Sequence, residues 1–108
     1  MSSAKRGGPT VAKRLREARI EAGISQRELG VRAGIDPSVA SPRINQYERG
    51  KHLPDPTTLE RLGNVLDRPL PYFYAADDTL AAFIIAFASA TAAQRRRLAT
   101  YLTGASTT

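Results

Sequence analysis

Apolar residues recur at helical intervals along most of the chain, and glycines, prolines and short polar stretches cut them into compact segments. Val11, Leu15, Ala18 and Ala22 share one face of a first segment that Pro9 and Thr10 open and Gly23 ends, with Lys13, Arg14, Arg16 and Glu17 directed outward. Ser25 and Glu28 have capping-box spacing for a second helix, whose inner face carries Leu29 and Ala33. Gly34 supplies the left-handed residue of a sharp turn, and Ile35 plugs the corner.

Asp36 and Pro37 read as a cap and a first helical position, but Pro42 would meet the carbonyl of Ser38 if one helix ran straight through. The pattern therefore predicts a turn of helix from Pro37 to Ala40. The main helix then restarts with Ser41 as cap and Pro42 at its first position, pinned by Ile44 and Tyr47 and ended at Gly50. An extended stretch from Leu53 to Pro56 leads to a helix capped by Thr57 or Thr58, with Leu59, Leu62, Val65 and Leu66 inside. Leu70, Tyr72, Phe73 and Tyr74, between and after Pro69 and Pro71, read as packing residues and not as a base-stacking platform.

Beyond residue 75, Asp78 is positioned to cap a helix to about Ser89, and Thr91 with Gln94 forms a capping box for a last helix through Leu102. Leu80, Phe83, Ile84 and Phe87 make an apolar stripe beside several alanines. The expectation is an all-α chain with a basic arm over 1–8, a five-helix domain over 9–75 and a C-terminal helical hairpin over 76–108.

The chain has 108 residues, enough for one small core, and a net charge of +6 carried mostly by arginine, which favours an anionic partner. The absence of cysteine excludes a disulfide framework and thiolate metal sites. The start from Met1 lacks the apolar core of a signal peptide, and the run from Leu80 to Ala88 is far shorter than the ~20 residues of a membrane span, so a cytoplasmic location is expected. The single histidine sits in a basic loop, and no Gly-rich phosphate loop or metal-ligand cluster stands out. This argues against an enzyme, and the reading assigns no cofactor, metal or small-molecule ligand.

The segment from Leu15 to Tyr74 resembles the repressor and Cro type of helix-turn-helix regulator, the Xre-like family. The resemblance lies in LREAR at 15–19, GISQREL at 23–29, AGI at 33–35, RINQYERG at 43–50 and Pro54. Gly34 and Glu48 stand further apart than is usual in that family by roughly one helical turn, and the extra residues fall in Asp36 to Ser41. The resemblance implies a domain of about five helices that binds operator DNA as a dimer.

With Ile44 and Tyr47 facing inward, Ser41, Pro42, Arg43 and Gln46 are the candidate base contacts, joined by Ser38 if the preceding turn also enters the groove. Arginine suits guanine and glutamine suits adenine by two-point hydrogen bonding. The resemblance adds Gln26 as a phosphate contact; Asn45, Arg49, Lys51 and His52 are further candidates, and the basic arm offers Lys5 and Arg6 as loose ones. The resemblance also places Arg19 and Glu48 where the family pairs an arginine with a glutamate across the domain.

The expected function is a transcriptional regulator, acting as a repressor on a near-palindromic operator. Binding should weaken with salt at a log-log slope near −0.9 per phosphate contact. Leu80, Phe83, Ile84, Phe87, Leu98, Tyr101 and Leu102 are candidate dimerisation residues, the alternative being that they pack back on the domain. Two other functions fit the same pattern. One is an antitoxin-like adaptor whose tail holds a protein partner, and the other is an RNA-binding coactivator using the basic arm and Arg95, Arg96 and Arg97.

Overall fold

The computed structural model describes residues 8–104. Among them are seven helices: α1 (Gly8–Ala22), α2 (Gln26–Arg32), α3 (Ala40–Glu48), α4 (Pro56–Leu66), α5 (Leu70–Tyr74), α6 (Asp78–Ala88) and α7 (Ala92–Thr103). The basic arm with Lys5 and Arg6 lies outside the described residues, and Gly8 already belongs to α1.

Helices α1 to α5 enclose one core. Val11, Leu15, Leu29, Ile44, Leu59, Leu62 and Phe73 are fully buried, each contributing about 1.5–3 kcal/mol relative to exposure. Tyr72 meets Phe73 edge-on at 5.2 Å between ring centroids, so the proline-bounded segment closes the floor of the core. Two expectations for α1 fail. Ala22 ends in solvent and Ala12 takes a buried place, while Arg14, expected outside, is only 3% exposed because α5 and the start of α6 lie over it.

The caps show where local chemistry overrides the expected boundaries. Ser25 Oγ accepts the Glu28 N–H at 2.9 Å, but the Glu28 carboxylate turns to Arg32 one helical turn on. Helix α4 is capped by Asp55, which accepts from the Thr58 N–H at 2.7 Å, and not by Thr57 or Thr58. Pro56 explains this: with φ preset and no N–H to satisfy, it makes the residue before it the cap. Helix α6 is likewise capped by Asp77, which accepts from Thr79 and Leu80, leaving Asp78 free to turn toward α1.

The start of α3 also moves. Residues 37–39 form a turn, not a helical turn; the Val39 N–H bonds the Asp36 carbonyl, and the Asp36 carboxylate accepts both the N–H and the hydroxyl of Ser38. Val39, not Ser41, stands at the N-cap, and Pro42 is the third helical residue. Proline is harmless there because a first-turn N–H has no intrahelical acceptor, and Ser38 is not helical, so the ring meets no carbonyl. The early start follows from packing. Ala40 is fully buried against Gly30 of α2, where an added Cβ would lie 2.8 Å from the Ala40 Cβ.

The extension differs from this body. Helix α6 buries only Ala81 and rests Ile84 and Ile85 against the core edge. Helix α7 keeps its Thr91–Gln94 capping box, yet none of its residues is buried and Leu98 is only half-buried. Arg95 ties the two together at the turn, donating to the Phe87 and Ala88 carbonyls while its guanidinium lies 5.4 Å from the Phe87 ring.

Candidate nucleic-acid interface

The turn between α2 and α3 places one helix across the other, and both are pinned from behind. Gly34 takes φ +94°, a conformation that side-chain-bearing residues rarely adopt, and its neighbour Ile35 donates back to the Gly30 carbonyl at 2.9 Å. On α3, Ala40, Ile44, Tyr47 and Glu48 face the core. At about 100° per residue, Pro42, Asn45, Gln46 and Arg49 then lie on the opposite side, with Ser41 and Arg43 on the two flanks.

Behind α3 sits an ionic anchor. Arg19 donates from Nε and Nη2 to the two oxygens of Glu48 at 2.5 and 3.0 Å, and from Nη1 to the Ile24 carbonyl at 3.0 Å. The Glu48 side chain is 2% exposed, so this is a two-point ion pair held largely out of water. Its hydrogen bonds raise the Arg19 pKa above the ordinary value, against the opposing cost of burial. One guanidinium therefore fixes both the end of α3 and the turn that leads into α2.

Gln26 joins the same network. Its Nε2 donates to Asn45 Oδ1 at 3.2 Å and to Glu48 Oε1 at 3.0 Å, so α2 is laced to α3 through the two residues expected to meet phosphate. In this arrangement both amide hydrogens of Gln26 are engaged within the protein.

The remaining candidates stay at the surface. Pro42, Arg43, Arg49, Lys51 and His52 are exposed, while Ser41 and Gln46 are half-buried. Ser38 is exposed too, but its hydroxyl proton is committed to Asp36, which leaves it only acceptor capacity for a base edge. The chain leaves α3 through Gly50 at φ +75°, and the backbone N–H groups of Lys51 and His52 turn back to the Gln46 carbonyl. The cationic end of α3 is thus an ordered corner.

The helix-turn-helix family model matches residues 15–73, from the second half of α1 to most of α5. The chain belongs to the helix-turn-helix family. The crystal structure of the transcriptional regulator BswR is similar to it at a TM-score of 0.79 and 40% identity, covering 87% of this chain and 93% of that one. No curated protein matches the chain.

The family match ends before α6, whereas the likeness to BswR covers most of the chain. Sequence reasoning missed two residues of this helix-turn-helix domain that bear on the site. Gly30 permits the close crossing of α2 and α3, and the signal was its place between Leu29 and the turn, where any Cβ would face the next helix. Arg14 was placed outside because the helical face alone does not reveal what later folds over it. No group of histidine and carboxylate side chains among the described residues is placed to hold a metal, and no helix of the structure is long and apolar enough to cross a membrane.

Proposed function

We propose that the protein is a sequence-specific DNA-binding transcriptional regulator that acts as a repressor, with α3 entering the major groove. One observation carries the reading: α3 is immobilised on its inner face by Ile44, Tyr47 and the Arg19–Glu48 pair, while its outer face and C-terminal corner present polar and cationic groups to solvent. A probe held this rigidly discriminates base pairs, because hydrogen-bonding groups keep their register with the base edges. Arg43 and Gln46 read bases from the flank and centre of that face, with Ser41, Pro42 and Ser38 as neighbours in the groove. Arg49, Lys51, His52 and Asn45 neutralise or bond phosphate, and Gln26 orients Asn45 or exchanges its internal bonds for a phosphate oxygen.

The operator is a near-palindrome with half-sites about 10 bp apart, bound by a homodimer. The dimer contact is carried by the extension. Leu80 is 48% exposed, Tyr101 81% and Leu102 60%, so much of the apolar surface of the two helices stays open to solvent. A 12-residue helix with no buried side chain is marginal alone in water, which favours a partner for α7, and a second copy completes a four-helix contact without any other protein.

Selection of bound duplexes from a random pool, at about physiological salt, tests the proposal. The expected product is a two-fold-symmetric motif that loses separate base positions in Arg43→Ala and Gln46→Ala. Absence of any enriched duplex, with retention of RNA or of a stoichiometric protein, overturns it in favour of an RNA-binding or adaptor role.

A further inference from the structure

We infer that Arg14 is a positioning residue for operator choice: it fixes the direction in which α6 leaves the helix-turn-helix body, and so sets the half-site spacing that the dimer accepts. This rests on the reading that α6 and α7 hold the dimer together. Helices α5 and α6 are joined by residues 75–77 alone, a link short enough to turn but not stiff by itself. Arg14 holds it from beneath. Nε donates to the Ala75 carbonyl at 2.8 Å, and Nη2 donates to the Ala76 carbonyl at 3.1 Å and to Asp78 Oδ1 at 2.9 Å.

The clamp is finished by Nη1 on Glu17 at 3.0 Å and by the Tyr72 ring, 5.9 Å from the guanidinium carbon. Lys13 adds a second bond to Asp78 at 3.2 Å. The four hydrogen bonds of Arg14 thus go to the junction or to its own helix, and none to the core. Arg19, five residues further along α1, spends its donors on the end of α3 and on the turn after α1. The two arginines face different sides of one rigid helix, so α6 is joined to α3 through Arg14, α1 and Arg19 with no flexible segment between.

In a dimer held by the extension, the distance and rotation between the two α3 helices follow from the angle at this junction. Adding one base pair between half-sites moves the second by about 3.4 Å and rotates it by about 35°. A junction clamped at two carbonyls and a carboxylate rejects that displacement; a free three-residue link absorbs it.

The experiment selects operators from a pool in which two copies of the preferred half-site are separated by every spacing over one helical turn, using the full chain, Arg14→Lys and Asp78→Ala. The parent is expected to favour one spacing by about tenfold over its neighbours. In the variants that preference falls to about twofold or less, while half-site sequence and sedimentation mass stay those of the parent. Should Arg14→Lys fail to fold, Asp78→Ala decides, because Asp78 is exposed and its loss leaves the buried Arg14 paired with Glu17 and the two junction carbonyls. A dimer that keeps the parental spacing preference in both variants, or whose affinity falls equally at all spacings, overturns the positioning role. A parent chain that sediments as a monomer and selects single half-sites overturns the dimer reading and this inference with it, and leaves recognition by α3 untouched.

Discussion

Helices α1 to α5 and helices α6 and α7 are ordered by different means. Among the described residues, all the buried apolar ones except Ala81 lie between Val11 and Ala75. There, burial supplies the energy, and the Arg19–Glu48 and Glu21–Arg68 pairs fix which helix meets which. In the extension, order comes from the chain ends of each helix: Asp77 caps α6, Arg95 closes it, Thr91 and Gln94 start α7, and Gly104 ends it in a left-handed turn. Caps of this kind contribute about 0.5–2 kcal/mol each and define where a helix begins, but they do not say what it packs against. The body is complete as one copy, and the extension is a shaped surface.

The sharpest break of this contrast is in the body. Arg19→Ala leaves Glu48 buried with only Gln26 to satisfy it, and is expected to lower stability by about 3–5 kcal/mol. Operator binding would be lost although neither residue faces the groove. A thermal melt that superposes on the parent removes the pair from this role. Gly30→Ala comes next, at about 1–3 kcal/mol, because the new methyl must push α3 off α2; its retention of both melting temperature and affinity would show that the crossing is looser than the 2.8 Å approach implies.

The same scale of change in the extension should behave in the opposite way. Tyr101→Asp and Leu102→Asp are expected to alter monomer stability by less than about 0.5 kcal/mol, since both side chains are exposed, while weakening self-association in sedimentation and operator binding together. A large drop in melting temperature for the isolated chain at low concentration would mean that the extension packs on the body after all. Gln46→Ala belongs between these cases: unchanged melting, with about 1–3 kcal/mol of discrimination lost at one base pair.

The smallest effect is with pH. Bonds from Lys13 and Arg14 hold the Asp78 carboxyl below its ordinary pKa, and the Thr58 N–H does the same for Asp55. A lowered carboxyl pKa stabilises the fold above the unfolded value of about 3.9, and that contribution is lost as pH falls through the lower folded value. Melting temperature should therefore be insensitive to these groups at neutral pH and fall below about pH 4, with a shallower fall in Asp78→Asn.

The body was legible in the sequence because its signals are local. The spacing of Val11, Leu15 and Ala18, the left-handed Gly34, and Ile44 and Tyr47 as inward residues of α3 all follow from periodicity or from a conformation that one residue type suits. Two of the misjudged boundaries have a common origin. At Pro42 and Asp78 two roles compete for one residue, and distant partners, Gly30 for the start of α3 and Arg14 for the start of α6, decide between them. Periodicity also placed Arg14 outside, since a helix has no outward face until its neighbours are known. For the site, the motif identified α3 and its pinned side, but that Gln26 is tied to both Asn45 and Glu48 depends on the crossing of two helices.

The approach of Gly30 to Ala40 has a consequence for how such a protein diversifies. Because the two helices meet through the smallest available side chains, their close approach lies on the hidden side of α3, and the side chains of Pro42, Gln46 and Arg49 on the visible side take no part in it. Residues there can be exchanged one at a time without a toll on folding, so a lineage carrying this scaffold is free to drift from one operator sequence to another while its architecture stands still.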